Sequence, residues 1–382
     1  AAEQLLRRET EIYPDLIDAY NALGVALIHQ SRPQDALPVF MEAARRDPAS
    51  TTANNNVANV LGALGRHEEA LEYLRKVIQA EPGHAEAHHN LGMVYQSLKH
   101  HEEPADSLEQ ALRLAPGLTY TRSHLVWNKL AVCRWHGLEA DIEALREEVG
   151  SGKGAPDPST LIAASPSPEE QLFCARRHAA EKVPGRPLAL SQGPRAPHER
   201  VRLAYLSADF HEHATAHLAA RLFELHDRSR FEVIGVSYGA DDGSPMGRRL
   251  EGAFERFVDV GAEGDEQAAR VLRGLEVDIA VDLKGYTTGS RPAILAHRPA
   301  PIQVSYLGFP GTMGAPFIDY VVADRFVLPE EERRWYGEQV VYLPDCYQVN
   351  DDRRPISSGV PTRAQAGLPQ DAFVFCCFNN SY

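Results

Sequence analysis

The sequence predicts two folds in one chain: an α-helical solenoid, then an α/β unit built on a parallel sheet. Three observations carry this prediction. Residues 1–116 keep a 34-residue period. From residue 201 onward, short apolar runs alternate with amphipathic ones. Between them, SGKGAPDPST and AASPSPEE interrupt with Gly, Pro and Ser.

The period shows first in Pro14, Pro48, Pro82 and Pro116. Ala19, Ala53 and Ala87 keep the same step, as do Gly24, Ala58 and Gly92, and Phe40, Leu74 and Leu108. Small residues, a large apolar residue and a closing proline at this spacing are the tetratricopeptide signature. Each repeat is a helical hairpin whose apolar face is buried only when neighbours stack. Ala2 lies one period before Ala36, so the chain is expected to open on the second helix of a repeat, cut from a longer array. Such arrays bind peptides in their groove. Asn56 and Asn90, one period apart, are either peptide-facing amides or solvated helix residues.

Past Pro116, LVWNKLAVCRW and LEADIEALREEV still read as helices, and a helix around Leu172, Phe173 and Cys174 follows. The expected divisions are repeats over 1–117, a helical transition and linker over 118–200, a first α/β lobe over 201–348, and the start of a second lobe over 349–382.

Strands are predicted at VRLAYLS, FEVIGVSYG, FVDV, VDIAVDLKG, PIQVSYLG, DYVVADRFVL and EQVVYLP. Helices are expected at TAHLAARLFELH, GRRLEGAF, DEQAARVLRGL and RPAILAHR. This alternation argues for a parallel sheet with helices on both faces. FVFCCF, near the end, reads as one more buried strand. Ligands in such folds sit beyond the carboxyl ends of the strands. That rule selects ADFHEHATA, DLKGYTTG and LGFPGTMGA.

The bulk numbers exclude several classes. The 382 residues carry a formal net charge of -14, which argues against broad nucleic-acid or anionic-membrane binding. No apolar run approaches the roughly 18 residues of a membrane span. Five cysteines without CxxC spacing suit a reducing compartment, and the chain is read as cytoplasmic.

ADFHEHATAHL places His211, His213 and His217 within seven positions. His213 and His217, at i and i+4, could share a helix face and hold a metal, but there is no HExxH and no nearby cysteine. The other readings are solvated imidazoles, or a functional imidazole where a helix start favours an anion. Asp209 is placed to orient His213 or to act itself. Gly308, Gly311 and Gly314 around Pro310 are either a ligand-hugging loop or a plain tight turn. In KGYTTG, Lys284 and Tyr286 are polar tips after a strand.

Together, DFHEHATAH, GYTTG, RPAPIQVSYLGFPGTMGA, DYVVAD and CCFNNSY behind such repeats resemble the peptide O-GlcNAc transferases, bacterial members most of all. The resemblance implies a GT-B glycosyltransferase with two facing Rossmann-like lobes. It implies inverting, metal-independent transfer from UDP-GlcNAc to Ser or Thr hydroxyls of protein or peptide acceptors, without a resident cofactor. It gives His213 and Asp209 catalytic roles. Thr215, Tyr286, Leu307, Gly308 and Pro310 become donor or acceptor contacts, and Asn56 and Asn90 an asparagine ladder for the acceptor peptide. Asn380 and Tyr382 become nucleotide contacts. Ala214 departs from the proline of animal members, and the histidine pair those members carry earlier has no counterpart in APDPSTLIAA. The family's phosphate-binding lysine comes directly after the FNxxY stretch, so the 382 residues alone are expected to hold half a site. His217 is expected to support the loop and His211 to be solvated. The rival readings are a sibling transferase using GDP-fucose and a non-catalytic repeat scaffold.

Overall fold

The computed structural model describes residues 2–30, 32–152, 156–183, 185, 187–191, 198–354 and 358–375. Two compact units divide between Pro166 and Ser167. The segment 118–200 is therefore shared: its first helices belong to the repeat unit and its last to the sheet unit.

In the first unit, the helix Ala2–Ile12 precedes four helical hairpins: Ile17–His29 with Pro33–Arg46, Thr51–Ala63 with His67–Ala80, Ala85–Ser97 with Glu103–Leu114, and Thr121–Ala131 with Leu138–Ser151. The periodic positions pair as their sizes require. A Cβ on Gly24 would lie 2.4 Å from the Phe40 ring, and one on Gly92 2.7 Å from Leu108. The small residue of each first helix thus receives the large apolar residue of the second. Beyond the regular repeats, the buried Lys129 ties Glu109 (2.8 Å) to Asp141 (2.7 Å). The short helix Pro158–Ala164 starts on its Asp157 cap, and the Asp157 N–H donates to Ser123 Oγ at 3.2 Å.

The second unit opens with the helix Pro168–Lys182 and, among its described residues, holds seven parallel strands: β1 (Val201–Ser207), β2 (Phe231–Ser237), β3 (Arg256–Asp259), β4 (Ile279–Asp282), β5 (Ile302–Ser305), β6 (Tyr320–Ala323) and β7 (Gln339–Tyr342). Their order is β3-β2-β1-β4-β5-β6-β7. The chain steps outward from β1 to β3, then returns to β4 on the other side of β1. Right-handed crossovers therefore place the helices Ala214–Leu225 and Pro245–Ala253 on one face, and Asp265–Gly274 and Ala293–Ala296 on the other. Leu203, Tyr205, Val233, Val281 and Val304 line the first face with Phe223, Leu250 and Phe254. Alternate residues Ala204, Leu206, Ile234 and Ala280 are buried as well, so both faces are covered.

One expected strand differs. In FVFCCF, residues 373–375 form no strand, and Phe373 and Phe375 are 82% and 91% exposed. No described strand pairs with them, and a strand without a ladder partner has nothing to hold it. The rest of that run lies outside the described residues. Upstream, Tyr347 and Val349 pack against the first sheet's core, and Asp351 pairs with Arg249 at 2.6 Å. The chain therefore stays on this unit past the expected division at 348. Among the described residues, no helix is long and apolar enough to cross a membrane.

Candidate functional site

The reversal of strand order falls between β1 and β4, where an open parallel sheet leaves a crevice beyond its carboxyl ends. The loops after β1, β2, β4 and β5 meet there, and glycines let their backbones touch. An ideal Cβ on Gly239, after β2, would lie 1.9 Å from the Ala208 carbonyl oxygen. One on Gly308, after β5, would lie 1.9 Å from the Leu283 carbonyl oxygen.

The β1 loop begins at Ser207, whose Oγ accepts the Asp209 N–H at 2.9 Å. The Glu212 N–H donates to Asp242 Oδ2 at 3.0 Å, pinning the loop to the one after β2. His213 then takes an extended backbone and caps the helix Ala214–Leu225: its Nδ1 accepts the Thr215 N–H at 3.2 Å. A neutral imidazole whose Nδ1 is an acceptor carries its proton on Nε2. Burial lowers the His213 pKa, with Lys284 and His211 adding to the effect and Asp209 opposing it. Asp209 Oδ2 lies 3.5 Å from His213 Nδ1.

The β4 loop supplies a residue that sequence reasoning left without a specific role. Asp282 ends β4 by accepting the N–H groups of Lys284 (2.9 Å) and Gly285 (3.0 Å), and burial raises its pKa to about 6. That turn sends Lys284 back over the sheet end, where its Nζ reaches both oxygens of Asp209 at 3.0 and 2.8 Å. Tyr286 is buried. Its hydroxyl donates to the Met313 carbonyl at 2.7 Å, and its ring stacks edge-on with His178 and Phe309. It braces the β4 loop against the β5 loop.

In the β5 loop, Leu307 has φ 69°, and the Gly308 N–H donates to the Tyr306 carbonyl at 2.8 Å. This is a three-residue turn with a left-handed, non-glycine centre, a form that is rare and strained. Leu307 and Gly308 are half-buried and Pro310 is exposed. A second unforeseen residue, the buried Glu338 beside β7, organises the remainder of this loop. It accepts the Thr312 hydroxyl and the Met313 N–H, both at 2.7 Å. Burial raises its pKa.

The three histidines diverge. His217 Nε2 pairs with Glu212 at 2.5 Å, and His211, half-buried rather than solvated, lies 3.9 Å from Asp242. Among the described residues no three His, Cys, Asp or Glu side chains gather as a metal-binding group. In the repeat unit, Asn56 Nδ2 donates to Asn21 Oδ1 at 3.2 Å, and Asn90 Nδ2 to Asn55 Oδ1 at 3.0 Å. At the next rung the His89 and His124 rings meet at 5.7 Å. Each of these two amides is tied to a neighbouring repeat by a hydrogen bond. Asn380 and Tyr382 lie outside the described residues.

Comparison with known proteins respects the same division. Residues 183–358 match glycosyl transferase family 41, and residues 1–51 and 49–116 match tetratricopeptide repeats. A probable UDP-N-acetylglucosamine–peptide N-acetylglucosaminyltransferase of Arabidopsis thaliana is 41% identical over 189 residues, 48% of this chain and 19% of that protein. The Caenorhabditis elegans UDP-N-acetylglucosamine–peptide N-acetylglucosaminyltransferase is 36% identical over 154 residues, 40% of this chain and 13% of that protein. The matched region thus spans at most about a fifth of these relatives. A mutant O-GlcNAc transferase from Thermobaculum terrenum superposes with a TM-score of 0.52 at 24% identity, over 87% of this chain and 58% of that one, a likeness of fold. The segment 183–358, set behind tetratricopeptide repeats, is thus similar to glycosyl transferase family 41.

Proposed function

We propose that this chain provides the acceptor-binding repeats and first catalytic lobe of a protein O-GlcNAc transferase. In this reading a Ser or Thr hydroxyl oxygen attacks the anomeric carbon of UDP-GlcNAc, with inversion. The bond from that carbon to the phosphate oxygen breaks, UDP leaves with the electron pair, and the hydroxyl proton is released. The observation that carries it is His213 at the switch point. Its Nδ1 is occupied by the Thr215 N–H, so the neutral ring offers Nε2–H at a helix start that favours an anion. A fixed donor aimed at the departing diphosphate stabilises charge as it develops and requires no resident metal.

The other carried-over residues take these roles. Thr215, Leu307, Gly308 and Pro310 line the donor side, and Tyr286 sets the loop beside the acceptor. Asp209 acts through its charge on His213, since Lys284 already holds both of its oxygens. Asn56 and Asn90, each with one amide hydrogen and its oxygen without a hydrogen bond among the described residues, hold the acceptor backbone in the repeat groove. For Asn380 and Tyr382, outside the described residues, the family resemblance implies nucleotide contacts. The free thiols of Cys133 and Cys346 fit a cytoplasmic setting. The test is a donor screen with the full-length protein and a protein acceptor. Transfer from UDP-GlcNAc and not from GDP-fucose is expected, and the reverse preference would overturn the proposal.

A further inference from the structure

The crevice holds a buried cation that this reaction scheme leaves without a role of its own. Lys284 and Asp209 are 4% and 6% exposed. Their ion pair joins the two loops that flank the switch point. Two demands then fall on one atom. His213 Nδ1 accepts the Thr215 N–H and also lies within ion-pair distance of Asp209. It cannot serve both at once. When the ring is neutral, Nδ1 is an acceptor and caps the helix. When the ring is protonated, Nδ1 becomes a donor, must release the Thr215 N–H, and turns to Asp209. Which state prevails depends on how much of the Asp209 charge is already satisfied.

We propose that Lys284 is a positioning residue for His213: by holding both oxygens of Asp209 it keeps the imidazole neutral, seated as the helix cap, with Nε2–H presented to the ligand. The inference rests on the proposed function for the ligand's identity alone; the state of His213 is a property of this chain. The charged and titratable groups around His213 come from three loops. Asp209, His211 and Glu212 share its own loop, with Glu212 engaged by His217 one turn on. Asp242, after β2, faces His211. Lys284, after β4, faces Asp209, with Asp282 tied to backbone behind it. Lys284 is the cation among them that pairs with Asp209, so its removal leaves that carboxylate to recruit a protonated His213.

The experiment is an NMR titration of ring-labelled histidine in this chain, with the His213 signal assigned from His213→Asn. In the wild type His213 titrates below the ordinary histidine range, as the Nε2–H tautomer. In Lys284→Met its titration rises by about one pH unit or more, the effect expected between charges in direct proximity at a half-buried site. Lys284→Arg keeps the charge and restores the wild-type titration. If Lys284→Met does not fold, Asp209→Asn reads the same coupling with opposite sign, because the remaining lysine pushes the His213 titration further down. A His213 titration unmoved by these changes, or lowered in Lys284→Met, would overturn the proposal. Transfer from UDP-GlcNAc by the full-length protein is a separate readout: its absence alongside a shifted titration sinks the functional reading and leaves the role of Lys284 standing.

Discussion

Gly308→Ala tests whether backbone contact between two loops builds the site. The added Cβ would lie 1.9 Å from the Leu283 carbonyl oxygen, 2.6 Å from its carbonyl carbon and 3.0 Å from Lys284 Cα. Carbon and oxygen approach comfortably to about 3.3 Å, so the loops must part by roughly 1.4 Å. Each of these neighbours is backbone, and none can rotate away. Leu307, already in a strained turn, and Lys284, anchored on Asp209, both move with the gap. Overpacking of this kind costs about 3 kcal/mol or more. Gly252 is the control. It lies in the helix Pro245–Ala253 with nothing within 4 Å of an added Cβ, so Gly252→Ala is neutral or stabilising by up to about 1 kcal/mol. Urea-dependent hydrogen exchange over β4 and β5 reads this unit apart from the repeats. A Gly308→Ala cost below about 1 kcal/mol would refute the close contact.

Glu338→Ala strands the Thr312 hydroxyl and the Met313 N–H in a buried site, and each loss costs about 1–3 kcal/mol, read in the same exchange experiment. His89, half-buried beside His124, has its pKa lowered by desolvation to about 4. Between its ordinary pH 6.5 and about 4 the unfolded chain binds the extra proton, so stability is full above that window and is lost as pH falls through it, by at most about 3 kcal/mol. His89→Asn should remove that part of the pH dependence from the repeat unit's unfolding curve. Lys129→Met leaves Glu109 and Asp141 facing each other without their shared cation, at a cost of about 3 kcal/mol in the repeat unit's urea unfolding.

The repeats were legible because one period sets size and position together, as the Gly24–Phe40 and Gly92–Leu108 contacts show. The inter-repeat bonds of Asn56 and Asn90 were not legible in the sequence. Asn56 and Asn90 occupy one slot 34 residues apart, yet each bonds across an offset of 35, to Asn21 and Asn55. Helices of successive repeats are rotated, so the contact runs between adjacent slots. The seven strands were legible from apolar runs, but their ends depend on side-chain chemistry. The run VDIAVDLKG stops being strand at Asp282 because that carboxylate takes the amides of Lys284 and Gly285. The loops bearing Asp209, His213 and Gly308 emerged from the strand-end rule. Lys284 with Asp209 and Glu338 with Thr312 did not, since they are 75 and 26 residues apart and obey no period. Only the folded sheet brings those pairs together. FVFCCF shows the converse: an apolar run signals a strand, and pairing decides whether one forms.

The role of His213 is the most direct test of the site. His213→Asn keeps a side chain able to cap the helix and removes the imidazole. Transfer of GlcNAc from UDP-GlcNAc by the full-length variant should fall about 10²–10³-fold, the effect of deleting one fixed donor at a developing charge. Transfer at the wild-type rate would contradict the placement of the active site at this loop.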